Sequence, residues 1–148
     1  MNSLIARLGF AIAILSVCSL ALFGQSTVKL TITCNGNPTE HTLLTIGSDP
    51  CTCTPGNVAI STCLSCAATF ANTYGSSIEL RVTPHLQVPT DPPSPGEASQ
   101  GIPGAGSVSF NPISTSGLPA GVYDLYLRCP CDEDGPLIKV GKLTLVNC

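Results

Sequence analysis

Eight cysteines, most of them in close pairs, constrain this 148-residue chain more than any other feature. There are nine in all, but Cys18 falls in an apolar N-terminal stretch; the others are Cys34, Cys51, Cys53, Cys63, Cys66, Cys129, Cys131 and Cys148. An even number in an exported chain reads as a framework of disulfides, here four, and about 105 pairings are open on sequence alone. Cys51-x-Cys53 and Cys129-x-Cys131 suit neighbouring bridges that run from one turn to two places. Each bridge adds about 2–4 kcal/mol, mainly by restricting the unfolded chain. The same residues admit other chemistries. Thiolates at these spacings can hold zinc or an iron–sulfur cluster, and Cys63-x-x-Cys66 has the spacing of a redox pair. Thiols oxidise on export, which favours bridges over both. No metal and no cofactor is therefore expected.

The reading of export rests on residues 1–24. Arg7 is the one cationic side chain before an apolar run, Leu8–Phe23. Small residues offer a cleavage point after Ala21 or after Gly24. This is the outline of a secretory signal peptide. The run is short for a membrane span, which needs about 20 residues. An uncleaved anchor and a lipoprotein on Cys18 are the alternatives, although Val17 fits poorly before a lipidated cysteine. The expected organisation is a leader, 1–24, and one domain, 25–148, that is secreted or cell-surface associated and has no membrane span once the leader is removed. The formal charge of −3 disfavours a nucleic-acid partner, because no basic patch exists to neutralise phosphates.

Period-two alternation then sets the fold class. In Thr27–Cys34, Val28, Leu30, Ile32 and Cys34 share one face, so Cys34 is expected to bridge inside the core or at its edge. Asn35-Gly36-Asn37-Pro38 is a turn, and His41–Ile46 a short second strand. Cys51–Gly56 reads as a tight turn and Asn57–Cys63 as a strand. Leu64–Tyr74 reads as strand or irregular structure, since Thr69, Asn72 and Thr73 weaken a helix. Ser77–Val88 alternates cleanly; Pro84 should break it or place it at an edge, while Leu86 and Val88 continue its apolar parity. Ser107–Ile113 is another strand. Gly121–Cys129 and Leu137–Val146 flank the acidic turn Asp132-Glu133-Asp134-Gly135-Pro136 as a hairpin. The apolar phase slips between Val140 and Leu143, and a β-bulge at Gly141 would restore it. About seven short strands with turns between them predict an all-β sandwich.

Leu118-Pro119-Ala120-Gly121-Val122-Tyr123, with the strand Asp124–Leu127 and the run Lys139–Val146, resembles a recurring element of bacterial immunoglobulin-like domains. There a Leu-Pro-Ala-Gly-x-Tyr turn feeds the penultimate strand. The stretch is similar in form to the C-terminal sorting domain of type IX secreted proteins, and the likeness covers about 35 residues. It implies an immunoglobulin-like β-sandwich, to which the cysteines, absent from the sorting domains, would add a disulfide staple. The buried Trp of antibody domains is absent, which sets the chain apart from that type.

Pro89–Gly106, rich in Pro and Gly, should form neither helix nor paired strand. A loop this long is either functional or a flexible connector. Its candidate binding residues are Thr90, Asp91, Glu97, Gln100 and Ile102. The acidic turn could hold calcium, but it lacks the further ligands of an EF-hand and reads better as a solvated turn. His41 and His85 are the only histidines, and no nucleophile motif accompanies them. The expectation is a secreted non-enzymatic binding or structural module, with adhesion as one use. Its partner would be a protein or a surface, and self-association through sheet edges is open to it. Carbohydrate binding is less favoured, with few aromatic platforms. The alternative is a secreted inhibitor or effector presenting residues 89–106. A metal-thiolate protein or small hydrolase is the third reading.

Overall fold

The computed structural model describes residues 24–132 and 134–148. The expected leader lies outside these residues except for its last position, and so does Glu133 of the acidic turn. Among the described residues ten strands form two five-stranded sheets packed face to face. They are β1 (Ser26–Cys34), β2 (Asn37–Ile46), β3 (Cys53–Pro55), β4 (Val58–Cys63), β5 (Ala67–Asn72), β6 (Ile78–Pro84), β7 (Ala98–Ile102), β8 (Gly106–Phe110), β9 (Gly121–Arg128) and β10 (Leu137–Val146). The first sheet has the order β3-β2-β1-β5-β8 and the second β4-β10-β9-β6-β7. A short 3-10 helix, Ile113–Ser116, follows β8.

The alternating residues act as expected. Val28, Leu30 and Ile32 are buried from one sheet, and Leu80, Leu125, Leu127 and Leu145 from the other. Asn35 and Gly36 both have positive φ, the backbone of a two-residue hairpin turn, and β2 resumes pairing at Asn37. The phase slip in β10 is a bulge: Tyr126 pairs with Lys139 and Leu125 with Gly141, so Val140 is the extra residue. A second bulge sets Leu43 between the pairs Val28–Leu44 and Lys29–Thr42, and both leucines are buried. Gly141 also lies against the parallel strand β4. A side-chain carbon there would come within 2.6 Å of the Val58 carbonyl oxygen.

Three expectations need correction. Ten strands form rather than about seven. Leu64–Tyr74 supplies β5, Cys53–Pro55 is an added edge strand, and β7 lies inside the stretch expected to form no paired strand. The prolines of that stretch cluster before and after Ala98–Ile102, which leaves five residues free to pair. Of the two readings of Pro84 the break is the one seen: it ends β6, which lies between β9 and β7 and is not an edge. Pro84 is its last residue, beyond the final β7 pair at Val82–Ala98, where no donor to that side is needed. Leu86 and Val88 leave the strand altogether and are among the most exposed apolar residues.

The four bridges are Cys34–Cys66, Cys51–Cys131, Cys53–Cys129 and Cys63–Cys148. The two Cys-x-Cys pairs join each other rather than two separate places. Cys63 and Cys66 enter different bridges, so they form no redox pair, and no free thiolate remains among the eight. Cys34 sits at the core edge.

Candidate functional site

The outer face of the second sheet carries most of the charge. Glu79, Arg81 and Thr83 alternate outward along β6, and Asp124, Tyr126 and Arg128 along β9. Residues 85–97 pack over this face. The Arg81 side chain is only 3% exposed. Its guanidinium donates to Glu79, to the Thr90 carbonyl (2.6 Å) and to Asp91 Oδ1 (2.5 Å). Arg128 donates to the second Glu79 oxygen (2.8 Å) and to the Gly135 carbonyl (2.7 Å), and lies 3.4 Å from Asp91 Oδ2. Two planar forks thus share two carboxylates, an arrangement Arg suits and Lys does not. Burial works against the Glu79 charge, but hydrogen bonds from Arg128, Arg81 and Ser99 outweigh it and hold its pKa below the ordinary carboxylate value. Glu97 folds back inside the loop and accepts from the Ser94 amide (2.9 Å) and from Thr90.

Asp124, 1% exposed, anchors the next segment. Its Oδ1 accepts from Lys139 Nζ and His85 Nδ1, each at 2.9 Å, and its Oδ2 from the Leu86 amide at 3.0 Å. Desolvation raises its pKa, yet the Lys139, His85 and Leu86 hydrogen bonds carry the net shift downward. His85 therefore has an orienting carboxylate. The same carboxylate also fixes a backbone amide, so its structural effect is to hold the turn after β6. That turn carries Leu86 at φ +69 and 82% exposed. A side chain beyond Cβ is strained in this left-handed region. Val88 (78%), Val122 (40%) and Val146 (38%) complete the exposed large hydrophobics among the described residues. Val122 accepts from the His85 amide, and Val146 ends β10 beyond the Leu145–Gly121 pair. All four therefore lie at the end of the sandwich where β6 stops and β9 starts, with Val122 against the Leu86 turn and Val146 farther off, beside β4.

The same end contains an opening into the core. β7 and β8 are the edge strands of the two sheets on one side, joined by the turn after Ile102. They diverge away from that turn, toward Ala98 and Phe110. Between them an apolar cleft of about 120 Å³ reaches Ile32, Phe70, Val82 and Leu143, with Ile113 and Leu118 at its rim. Apolar cavities near 150 Å³ accept a benzene ring. A groove lined by Pro84, Gly96, Leu118, Pro119 and Val122 runs on from the mouth toward the Leu86 turn. The cleft lining has no charged residue, and the groove has one, Glu97, whose buried carboxylate turns onto Ser94, Thr90 and Arg81.

The expected loop residues divide. Thr90, Asp91 and Glu97 gather around Arg81, with Thr90 and Asp91 also exposed. Gln100 stands on β7 at the cleft mouth, and Ile102 is wholly buried in the core. The acidic turn joins β9 to β10, and Asp132 and Asp134 are exposed; among the described residues no three His, Cys, Asp or Glu side chains converge as metal ligands. His41 lies beside β4, far in sequence from His85, and the two are not brought together. Sequence reasoning missed Asp124, Leu86 and the cleft. Pro84 was the available signal, because it ends the strand and strips Leu86 and Val88 of the parity that made them look buried. Among the described residues no helix is long and apolar enough to cross a membrane. The chain matches no protein-family model, and no curated protein sequence is significantly similar to it.

Proposed function

We propose that this chain is an exported, non-enzymatic binding module on an immunoglobulin-like sandwich, and that it binds an apolar group of another polypeptide at the open end. The observation that carries this reading is the neutral-rimmed apolar cleft between the diverging edge strands β7 and β8. Binding sites combine such a concave apolar surface with a few polar groups at the rim, here Ser99, Gln100 and Ser116. Four disulfides support export. The immunoglobulin-like reading is supported by Tyr123, whose hydroxyl donates 2.7 Å to the Pro119 carbonyl four residues upstream. A tyrosine at the start of a late strand that ties back in this way is a mark of such sandwiches.

Titration with benzene, followed by NMR, tests the site. Resonances of Ala68, Phe70 and Ala98 should shift saturably while those of β4 stay still. No shift at the cleft would remove the basis of the reading. A second reading, an inhibitor or effector presenting residues 89–106, is favoured by the pinning of Thr90 and Asp91 on Arg81, since a preorganised loop binds at lower entropic cost. A protease panel checks it, and inhibition by the wild type that Asp91→Ala abolishes would support it.

A further inference from the structure

We infer that two copies of this chain associate about a two-fold axis at the open end, each seating its Leu86 side chain in the other's inter-sheet cleft. The inference rests on the cleft being the binding site, and it names the occupant.

The projecting group comes first. Leu86 is 82% exposed and held at positive φ, two conditions that each disfavour leucine at a free turn. Its backbone is held there by Asp124, through its own amide and through His85. The side chain is thus presented in one orientation, so little freedom remains to be lost on docking. Val88 and Val122 flank it and enlarge the apolar contact. Exposed hydrophobic residues scattered singly need no explanation, but Leu86, Val88 and Val122 come from one turn and the strand bonded to it and mark an interaction surface.

The receiving group is the cleft. At about 120 Å³ it is in the size class that takes one branched aliphatic or one small ring. The groove past Pro84 and Leu118 leads from the base of the Leu86 turn to its mouth, so knob and hole belong to one continuous surface. A two-fold interface requires this of its partners: the same patch must carry both the inserted and the receiving group.

Charge then selects among occupants. The stretch Ala98–Tyr123 has no ionisable acid or base other than the Tyr123 hydroxyl, and the Asp124 carboxylate beneath it is buried and paired with Lys139. The one charged residue in the groove is Glu97, whose buried carboxylate is turned onto Ser94, Thr90 and Arg81, so two copies bring little like charge together here. An anionic lipid surface would call for Lys or Arg around the apolar group, and the rim has neither. The edge strand β7 also lacks the Lys or Pro that keeps exposed edges apart.

Sedimentation velocity of the oxidised protein over a wide concentration range, repeated for two variants, tests this. The wild type should pass from monomer to dimer as concentration rises. Leu86→Asn removes the apolar anchor, yet Asn tolerates positive φ better than Leu. It should raise the dimer Kd by about 100-fold or more, because the dimer uses two such anchors, while raising the thermal midpoint of the monomer. That opposition of sign is not expected of a merely structural residue. Ala98→Leu fills the mouth of the cleft and should also give a folded monomer. A wild type that stays monomeric to about 1 mM, or a Leu86→Asn variant that dimerises like wild type, overturns the inference. If the wild type is monomeric but benzene still shifts the cleft resonances, the cleft reading stands and this occupant is wrong. If benzene fails too, both fall.

Discussion

Replacing Arg81 with Met removes the charge that holds residues 85–97 against the second sheet while keeping most of the aliphatic volume. Arg81 has lost nearly all contact with water, and its three strong acceptors are Glu79, the Thr90 carbonyl and Asp91. Removing one member of a buried ion pair typically destabilises by about 3–5 kcal/mol. The structure places this case at the low end. Glu79 keeps Arg128 and Ser99, and the Asp91 side chain is 69% exposed and can return to water. The Thr90 carbonyl loses its partner outright. A loss of roughly 3 kcal/mol is therefore expected for Arg81→Met, and about half of that for Arg81→Lys, which keeps the charge but not the fork. Denaturant unfolding with the bridges intact gives the free energy. Hydrogen exchange of the Gln87–Glu97 amides tells whether the loop detaches before the sheets do. A change below about 1 kcal/mol, with unchanged exchange in that segment, would refute the idea that Arg81 pins the loop.

Gly141→Ala should destabilise by about 2–4 kcal/mol, since a methyl group must displace the Val58 backbone of the parallel β4–β10 pair; thermal unfolding measures it, and a neutral result would show that β4 is free to shift. Tyr123→Phe should cost about 1 kcal/mol for the lost hydroxyl bond to Pro119, read from the same unfolding curves, and leave the fold unchanged. Acid should weaken the outer face of the second sheet. Glu79 and Asp124 have folded pKa values below their ordinary values of 4.5 and 3.8, so the unfolded chain takes up protons first. Their contribution is complete above about pH 5 and is lost as pH falls through those values and then through the lower folded ones. Stability measured from pH 7 to pH 2 should fall over that window, and Asp124→Asn should flatten part of the slope.

Most of the architecture was legible because alternation is written directly into the strands. Val28, Leu30 and Ile32 can face only one way, and the slip at Gly141 could be read as a bulge because a strand with a buried face tolerates no uncorrected change of phase. Short edge strands were not legible. β3 and β7 are three and five residues long, too short for a period to show, and they exist because a neighbouring strand offers unpaired backbone groups. Leu86 and Val88 show the opposite failure, a period that continues on paper after the strand has ended. The loop residues were half visible. Asp91 and Glu97 could be marked as polar and unusual in a Pro/Gly-rich segment, but their partner Arg81 lies on a strand whose sequence calls only for a solvent-facing side chain. Its burial comes from the covering loop, a tertiary fact. The cleft leaves no local trace, because it is made by two edges that part company.

The four bridges are distributed unevenly along the sandwich. Cys51–Cys131 and Cys53–Cys129, which cross between the sheets, both lie where β9 ends and β3 begins. Cys34–Cys66 and Cys63–Cys148, at the opposite end, each join neighbouring segments on the same side. No bridge touches β7 or β8, so the edge that opens the cleft between Ala98 and Phe110 is held by strand pairing and packing, while the rest of the sandwich is held covalently as well.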